Sequence, residues 1–556
     1  MLEYICYIIL MNKGEYMSGS NFIRGTLLLT GASFLSKFLG MIYVIPFTNM
    51  VEETGMTLYG FAYIPYTILI SVSTIGIPQA VSKFVAKYNT LDDHYTSMRM
   101  FKVGSLLMIV TGIVAFLIMY FGSGFFASLS LDPATEDISL DEVQHAMQMI
   151  SFALLIIPSM AIMRGFFQGN QSMGPTAVSQ VVEQIVRIAF LLIAVYVVVD
   201  VVGGTNATAV GFAAFAAFIG AVASWVVLGV YWKKRRKFIQ RPIDQQKVKK
   251  NIPVKQLLKE LFRYSGPFVL VGIAIPLYQL IDQFTFSHAM AAIGKEAESS
   301  IAFSAFNVQG HKLVIIPITI ATGLSLAIVP EITKAFNAHQ LDRVKKQSNQ
   351  ALQIIMFFVL PAVIGLVILA DAIYGGLFGI RQLEITSTVF AWYAPVALPF
   401  AFFTVTSAIL QGVERQNFTL ISLGTGVLIK LLLNAILIQQ FAAVGAIIAT
   451  WIASTVAVGL NLWQIRKAIA FPYRKFFKLS LLMVIFTAIM GIVLILVKWV
   501  MGLFLDVYEN RLHAIITMLI GVGAGGIVYL YLGYASTLFE RITGRRIAIL
   551  DRIIGR

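Results

Sequence analysis

Cysteine and charge are what this chain has least of. One of its 556 residues is a cysteine, Cys6, so an internal disulfide and a cysteine-based metal site are both excluded. Charged residues make up 12% of the chain, about half the usual share, whereas 58% of the residues are apolar. Such a chain cannot cover itself with polar surface in water, and it is far too apolar to be disordered. The composition therefore predicts an integral membrane protein.

Sequence motifs of enzymes are also missing. The chain has no phosphate-binding loop, no HExxH zinc motif and no nucleophile elbow, and its six histidines are scattered. We therefore expect no enzymatic activity, no metal and no cofactor. Without an ATP-binding motif, transport would be driven by an ion gradient, by the membrane potential or by the gradient of the substrate itself.

Long apolar runs are abundant instead. A helix needs about 20 mostly apolar residues to cross a ~30 Å hydrocarbon core, and fourteen runs qualify. We call them spans 1 to 14, and they lie at 22–48, 57–81, 100–121, 146–168, 175–199, 208–232, 264–288, 303–329, 352–378, 386–411, 417–439, 442–464, 477–500 and 512–535. Because the runs are long and do not alternate with a period of two, we expect an all-α integral membrane fold and no membrane barrel.

The few charges indicate which side of the membrane each loop faces. The loop at 122–145 has five acids and no Lys or Arg, whereas residues 233–263 hold twelve Lys and Arg. Every second loop is basic, and the positive-inside rule assigns such loops to the cytoplasm, together with both termini. Nucleic-acid binding is the other interpretation of a net charge of +15. It is disfavoured because the charge follows the loops and forms no separate domain.

The basic loop at 233–263 divides the chain into two parts that weakly repeat each other. With an offset of 243, Ser179 falls on Ser422 and Arg187 falls on Lys430. Equivalent positions are six spans apart, so the copies cross the membrane in the same direction, as in transporters with a substrate site between two halves. Chance similarity between apolar sequences is the alternative. The predicted parts are an N-terminal extension at 1–21, an N-lobe at 22–232, a linker at 233–263, a C-lobe at 264–464, two extra helices within 465–535 and a basic tail at 536–556.

Charged side chains inside spans are expensive, and they usually face a cavity or a partner. The cations of this kind are Lys37, Arg187, Lys312 and Lys430, with Arg164 and Arg24 nearer to span ends, and the acids are Glu183 and Asp282. The positive balance predicts a central cavity that attracts an anion, phosphate above all. One alternative is a structural pair between Glu183 and Arg187, which share a helix face. Arg164 would otherwise snorkel toward water, and Arg24 would only mark the positive-inside boundary at the inner edge of span 1.

Polar residues and helix breakers within the spans support the predicted cavity. Asn307 and Gln309 lie in span 8, Ser36 precedes Lys37 in span 1, and Pro276 interrupts span 7. Such residues are tolerated where backbone lines a cavity or where a helix bends.

The stretches RGTLLLTGASFLSKFLGMIYVIPF at 24–47 and YGFAYIPYTILISVSTIGIPQAVSKFVAKY at 59–88 resemble a known family. They are similar to the polysaccharide-flippase branch of the multidrug/oligosaccharidyl-lipid/polysaccharide exporter superfamily, and most to its MurJ-like, YtgP and stage V sporulation protein B group. The resemblance implies a flippase in the bacterial cell membrane. It would move lipid II, the undecaprenyl-diphosphate-linked peptidoglycan precursor, from the inner to the outer leaflet by alternating access. Membrane lipid and cell-wall synthesis proteins are its implied partners.

The resemblance also assigns roles to individual positions. The family pattern Ser-Arg-x-x-Gly reads Ser36-Lys37-Phe38-Leu39-Gly40 here, and a basic residue before a Leu-x-x-x-Pro run is Lys312. It therefore implies that Lys37 and Lys312 contact the diphosphate. Two further basic positions of the family fall on Tyr43 and near Leu69-Ile70, and we expect Arg187 and Lys430 to compensate. For 477–535 the resemblance implies a groove for the lipid tail.

Three alternative functions remain open. A flippase for another undecaprenyl-linked glycan, such as a teichoic acid, capsule or spore cortex precursor, would need similar chemistry. A drug/cation antiporter of the same superfamily would favour acidic cavity residues, but span 1 contains lysine and no acid. A membrane scaffold without transport needs no charge inside the membrane.

Overall fold

The computed structural model describes residues 29, 31–32, 35–74, 76–132, 137–246 and 252–543. Within these ranges the chain forms helices and short connections, and no residue is in a strand. Twelve helices are long and apolar enough to cross a membrane. The first of them, Leu35–Thr90, contains span 1 from Leu35 onward and all of span 2, and span 7 is divided between two shorter helices. The predicted all-α membrane fold is confirmed.

Each predicted span has a helix or a pair of helices in the structure. The N-lobe helices are Val44–Thr74, Ile77–Thr90, His94–Ser130, Leu140–Gly169, Met173–Tyr196 and Asn206–Gln245. The C-lobe helices are Val254–Gly272, Ala274–Ala291, Glu296–Phe303, His311–Asn337, Leu341–Ile368, Ala370–Phe378, Leu383–Tyr393, Ala397–Gly412, Gln416–Phe441 and Ala443–Ile469. Tyr473–Gly502, Arg511–Ala535 and the short Leu538–Thr543 complete the fold.

Local chemistry explains several helix ends. Ser139 and Glu142 form a reciprocal capping box at the start of span 4, and Asp93 accepts a bond from the backbone N–H of Thr96 at the start of span 3. Spans 1 and 2 are separated at Glu52, whose φ of 58° is incompatible with a continuous right-handed helix. Gly76, with a φ of 94°, breaks span 2 near its end, in a conformation that residues with a side chain rarely adopt.

Helices extend well beyond the predicted apolar runs. The helix of span 6 continues through the basic run to Gln245, so the start of the predicted linker is helical. The helix Val254–Gly272, which leads into span 7, packs on the N-lobe, because its Leu257 and Leu261 join a buried cluster with Val81 and Phe84 of the helix Ile77–Thr90. This one helix contains both the end of the predicted linker and the start of span 7, so it connects the C-lobe to the N-lobe on which it packs. The predicted extension at 1–21 and most of the tail lie outside the described residues.

The two ends of the bundle differ in charge and in the contacts between the lobes. We call the end with 233–246, 334–346 and 466–478 the basic end, and the end with the 122–132 and 137–145 segments the acidic end. At the acidic end Thr57 donates to the backbone oxygen of Ser300 across 2.5 Å, and the rings of Phe61 and Phe303 lie 4.9 Å apart. Gly60 permits this approach, because a Cβ there would collide with Val308. The lobes are therefore closed against each other at the acidic end.

A second set of bonds strengthens the closure at the acidic end. The Gln283 side chain donates to the backbone oxygen of Phe61 at 2.9 Å and to Ser130 at 2.8 Å. Asp132 of the N-lobe lies 3.0 Å from His288 of the C-lobe. Any opening toward this end has to break these contacts.

Candidate anion-binding site

Four tyrosines form a connected cluster where span 1 meets span 2. Tyr59, Tyr63 and Tyr66 are spaced i, i+4 and i+7, so they lie on one face of span 2. The rings of Tyr59 and Tyr63 stack with centroids 5.4 Å apart, and Tyr66 lies 5.6 Å from Tyr63. The hydroxyl of Tyr43, from span 1, is 3.3 Å from that of Tyr59. The cluster supplies ring faces and hydroxyl groups within the membrane-spanning region.

Arg187 of span 5 lies against this cluster. Its Nη2 donates to the Tyr59 hydroxyl across 3.1 Å, and its Cζ is 5.9 Å from the ring of Tyr43 and 5.7 Å from that of Tyr63. No carboxylate among the described residues pairs with it, and its buried Nε has no hydrogen-bond partner there. Aromatic faces attract the guanidinium without neutralising it. Arg187 therefore keeps its positive charge and a spare donor.

Lys312 of span 8 reaches the same cluster from the other lobe. Its Nζ lies 4.9 Å from the ring centre of Tyr63, and no acid among the described residues forms a salt bridge with it. Tyr63, Arg187 and Lys312 are all half-buried. One tyrosine ring thus carries a cation from each lobe, an arrangement suited to an anion that accepts charge-assisted hydrogen bonds from both.

Lys37 lies apart from this cluster. It is exposed and has no hydrogen-bond or ion-pair partner within the described chain, whereas the neighbouring Ser36 hydroxyl is buried without a partner. Six residues separate Lys37 from Tyr43, which corresponds to about 9 Å along a helix toward the basic end. The predicted contact of Lys37 with a substrate stays a prediction. Arg24 lies outside the described residues.

The structure pairs Glu183 with Arg164, and no pair forms between Glu183 and Arg187. Nη2 of Arg164 lies 2.7 Å from Glu183 and 2.7 Å from Ser224, and its Nε donates to Ser179 at 2.9 Å. Arg187 instead turns to Tyr59. Arg164 and Glu183 therefore hold spans 4, 5 and 6 together, a role different from the predicted anion binding, coupling or snorkelling.

Lys430 also departs from the prediction, because its side chain is fully buried inside the C-lobe. Its Nζ lies 2.8 Å from Asp282 of span 7 and donates to the hydroxyl of Thr450 of span 12. Asn434 donates to Asp282 at 3.1 Å and to Thr285 at 2.7 Å. A buried ion needs a partner and satisfied hydrogen bonds, and this network supplies both. In this conformation Lys430 and Asp282 form a structural pair and line no cavity.

Asn307 and Gln309 are tied to neighbouring helices. Both lie in a π-helical segment, Ser304–Gly310, and are buried. Asn307 and Gln279 exchange bonds between each side chain and the other's backbone oxygen, at 3.2 and 2.9 Å. Gln309 donates to Thr48 of span 1 at 3.3 Å and accepts a bond from Tyr374. These contacts fix the wide turn in span 8 and leave the two amides no direct access to a cavity in this conformation.

The tyrosines are the part of the site that the sequence analysis missed. In the sequence, Tyr43 stands out only as a departure from the basic pattern of the family. The i, i+4, i+7 spacing of the tyrosines in YGFAYIPY at 59–66 is the signal that indicates a shared helix face. Among the described residues, no three or more His, Cys, Asp or Glu side chains are grouped to hold a metal ion.

Comparisons with known proteins agree on one family. The family model for polysaccharide biosynthesis protein matches residues 22–336, and the MatE model matches residues 267–436. The chain is 42% identical over 531 residues to lipid II flippase MurJ of Bacillus subtilis, which covers 95% of this chain and 98% of that one. It is 25% identical over 415 residues to stage V sporulation protein B of the same organism, covering 74% and 77% of the two chains.

Solved structures show the same fold. A lipid II flippase MurJ in an inward closed conformation matches with a TM-score of 0.65 at 16% identity, covering 93% of this chain and all of that one. An inward-facing multidrug resistance MATE family transporter matches with a TM-score of 0.61 at 14% identity, covering 84% of this chain and 97% of that one. At such identities the likeness concerns the fold alone.

Proposed function

Because the chain belongs to the polysaccharide biosynthesis protein family, we propose that it is a lipid II flippase of the bacterial cell membrane. It moves the undecaprenyl-diphosphate-linked peptidoglycan precursor from the inner to the outer leaflet. The 42% identity to the lipid II flippase MurJ over 95% of the chain carries this proposal. Arg187 and Lys312, each without an acidic partner in the described chain and 5.7 and 4.9 Å from the centre of the Tyr63 ring, support it, since a lipid diphosphate needs such cations.

The diphosphate is bound by charge-assisted hydrogen bonds from both lobes. Arg187 offers the part of its guanidinium that Tyr59 does not occupy, and Lys312 offers three N–H donors. A site partly removed from water strengthens these bonds, because the effective dielectric constant is lower there. An anion between the two cations also cancels their repulsion, so binding favours a state in which the lobes are close. Lys37, nearer the basic end, contacts the diphosphate on entry.

Alternating access follows from where the lobes touch. The positive-inside rule places the basic end in the cytoplasm, so the contacts around Gln283, Phe61 and Ser300 close the outer side. Release to the outer leaflet requires these bonds to break and the lobes to part there. Near the cytoplasm, the helix Val254–Gly272 packs on Ile77–Thr90, and Tyr88 donates to Glu260 across 3.2 Å.

We propose the membrane potential as the driving force. An anionic head group that moves outward leaves the negative side of the membrane, and each elementary charge gains roughly 2.3 kcal/mol per 100 mV. The acids Glu183 and Asp282 are each held by a cation of their own lobe, so neither is free to bind a coupling cation in this conformation.

Depletion of the protein tests the proposed function. In cells without a redundant flippase, we expect lipid II to accumulate while its head group becomes inaccessible to an externally added, membrane-impermeant probe. Re-expression should restore access. Depleted cells that present lipid II on the outer leaflet at the normal level would contradict the proposal.

A further inference from the structure

A basic cavity lies at the basic end, away from the tyrosine cluster. It has a volume of about 510 Å³ and is formed by the first turns of the helices Leu341–Ile368 and Tyr473–Gly502 and by the short helix Leu538–Thr543. Its cationic lining residues are Lys346, Lys475, Lys478 and Arg541. None of the described residues that line it is a carboxylate. The cavity therefore gathers four like charges.

These charges lack counterions within the described chain. None of the four cations forms a salt bridge to an acid of the described chain. Glu331, near the end of the helix His311–Asn337, and Asp342, in the first turn of Leu341–Ile368, have other partners. Glu331 is paired with Arg343 at 3.3 Å, and Asp342 lies 4.0 Å from Lys345. All four side chains are exposed, and an anion that enters the cavity would relieve their mutual repulsion.

A buried amide donor in the cavity also favours an anionic ligand. Gln353, which lines the cavity, is 4% exposed, and its Nε2 has no hydrogen-bond partner in the described chain. An unsatisfied buried donor costs about 1–3 kcal/mol. A bound acceptor removes this cost, and phosphate oxygens also suit the surrounding cations.

The surroundings of the cavity indicate a lipid. Lys478 stands where span 13 enters the apolar region, and Leu481 and Ile485 follow it on the same helix face at i+3 and i+7. These two side chains are 63% and 46% exposed. A ligand with its charged head in the cavity would therefore lay apolar chains along span 13. Basic pockets between helices at the cytoplasmic side commonly hold anionic head groups.

We propose that this cavity binds the phosphate head group of an anionic phospholipid of the inner leaflet, with its acyl chains along span 13. The leaflet follows from the orientation proposed above. The head-group site is distinct from the proposed diphosphate site, since its lining shares no residue with the Tyr63 cluster. Bound lipid neutralises the cations and fastens span 13 to the C-lobe, so it should stabilise the fold.

Thermal unfolding of the purified full-length protein in a neutral detergent tests this proposal. The probes are dioctanoyl phosphatidylglycerol, dioctanoyl phosphatidylcholine and inorganic phosphate. We expect phosphatidylglycerol to raise Tm with a saturable dose response and the other two to have little effect. An equal response to phosphatidylcholine, or saturation by inorganic phosphate alone, would overturn the lipid assignment.

Two variants with a matched control separate a defined site from general attraction. K475Q/K478Q/R541Q removes three cavity charges, and K237Q/K334Q/R415Q removes three exposed charges of the same end. The cavity variant should need at least about 10-fold more phosphatidylglycerol for the same rise in Tm, and the control variant should behave as wild type. Q353L keeps every charge and should still weaken the response several-fold. Equal effects of the cavity and control triples, or a wild-type response of Q353L, would refute the site.

Discussion

Arg187 and Lys430 occupy equivalent positions in the two halves of the chain, yet their surroundings are opposite. Arg187 in span 5 lies among tyrosines and meets no carboxylate in the described chain, whereas Lys430 in span 11 is fully buried 2.8 Å from Asp282. Asp282 belongs to span 7, and span 1, its counterpart in the N-lobe, has no acid. A single acid on a neighbouring helix thus decides whether the same cation becomes a structural element or a ligand-binding group.

Nearer to the basic end, the two lobes also differ in the partners of the equivalent residues Ser179 and Ser422. In the N-lobe, Ser179 is held by Arg164, which is paired with Glu183. In the C-lobe the equivalent Ser422 donates to Asn461, a neutral amide that reaches Thr406 and Ser407. Each lobe therefore keeps one ion pair in its interior, at a different place, and each contributes one further cation to Tyr63.

The largest effect should follow from breaking the C-lobe pair. Lys430→Met leaves Asp282 buried without a counterion, and truncating one partner of a buried pair costs about 3–5 kcal/mol. We expect a steep loss of folded protein, measured as Tm and as membrane yield. Because a neutral replacement of both partners is often tolerated, Asp282→Asn/Lys430→Met should regain stability and complement depletion. A stable single variant, or a folded double variant without activity, would contradict the structural role of Lys430.

Removal of the two cations beside Tyr63 should affect transport and leave the fold intact. Arg187→Gln and Lys312→Gln each delete a charge-assisted bond of about 1.5–3 kcal/mol, so transport of lipid II should fall by roughly 10- to 100-fold. Arg187→Lys keeps the charge but loses the fork of donors, and should be intermediate. Complementation of depleted cells and Tm of the same variants are the two measurements. Full complementation by both Gln variants would remove Arg187 and Lys312 from the site.

The comparison can also be reversed within the N-lobe. Tyr43→Glu places a carboxylate beside Arg187, whose Cζ is 5.9 Å from the Tyr43 ring, and so imitates the pair of Lys430 with Asp282. We expect the new ion pair to neutralise Arg187, so complementation should fall about as far as it does in Arg187→Gln. Tyr43→Gln is the uncharged control and should retain more activity. Equal activity of the Glu and Gln variants would show that neutralisation of Arg187 is harmless.

Much of the fold could be predicted because span length is a physical quantity. Span 14, predicted at 512–535, is the helix Arg511–Ala535, whereas span 3, predicted at 100–121, extends over His94–Ser130 because polar residues continue a helix beyond the apolar run. The cost of burying charge makes Arg187 and Lys312 candidate site residues, and their contact with a substrate stays a prediction. It could not supply their partners, since pairs such as Arg164 with Glu183 depend on which helices pack together. Tyrosine carries no such cost, so the cluster was missed.

The smallest effect concerns the ring that joins the two lobes. Tyr63 is within 5.7 Å of the Arg187 Cζ and 4.9 Å of the Lys312 Nζ, both measured to the ring centre. Tyr63→Leu removes the aromatic face, and cation–π contacts of this kind contribute about 0.5–2 kcal/mol each, so transport should fall several-fold. Tyr63→Phe keeps the face and should remain close to wild type. If Tyr63→Phe is as impaired as Tyr63→Leu, the hydroxyl of Tyr63 contacts the substrate directly, and the contact of its ring with the two cations does not account for its role.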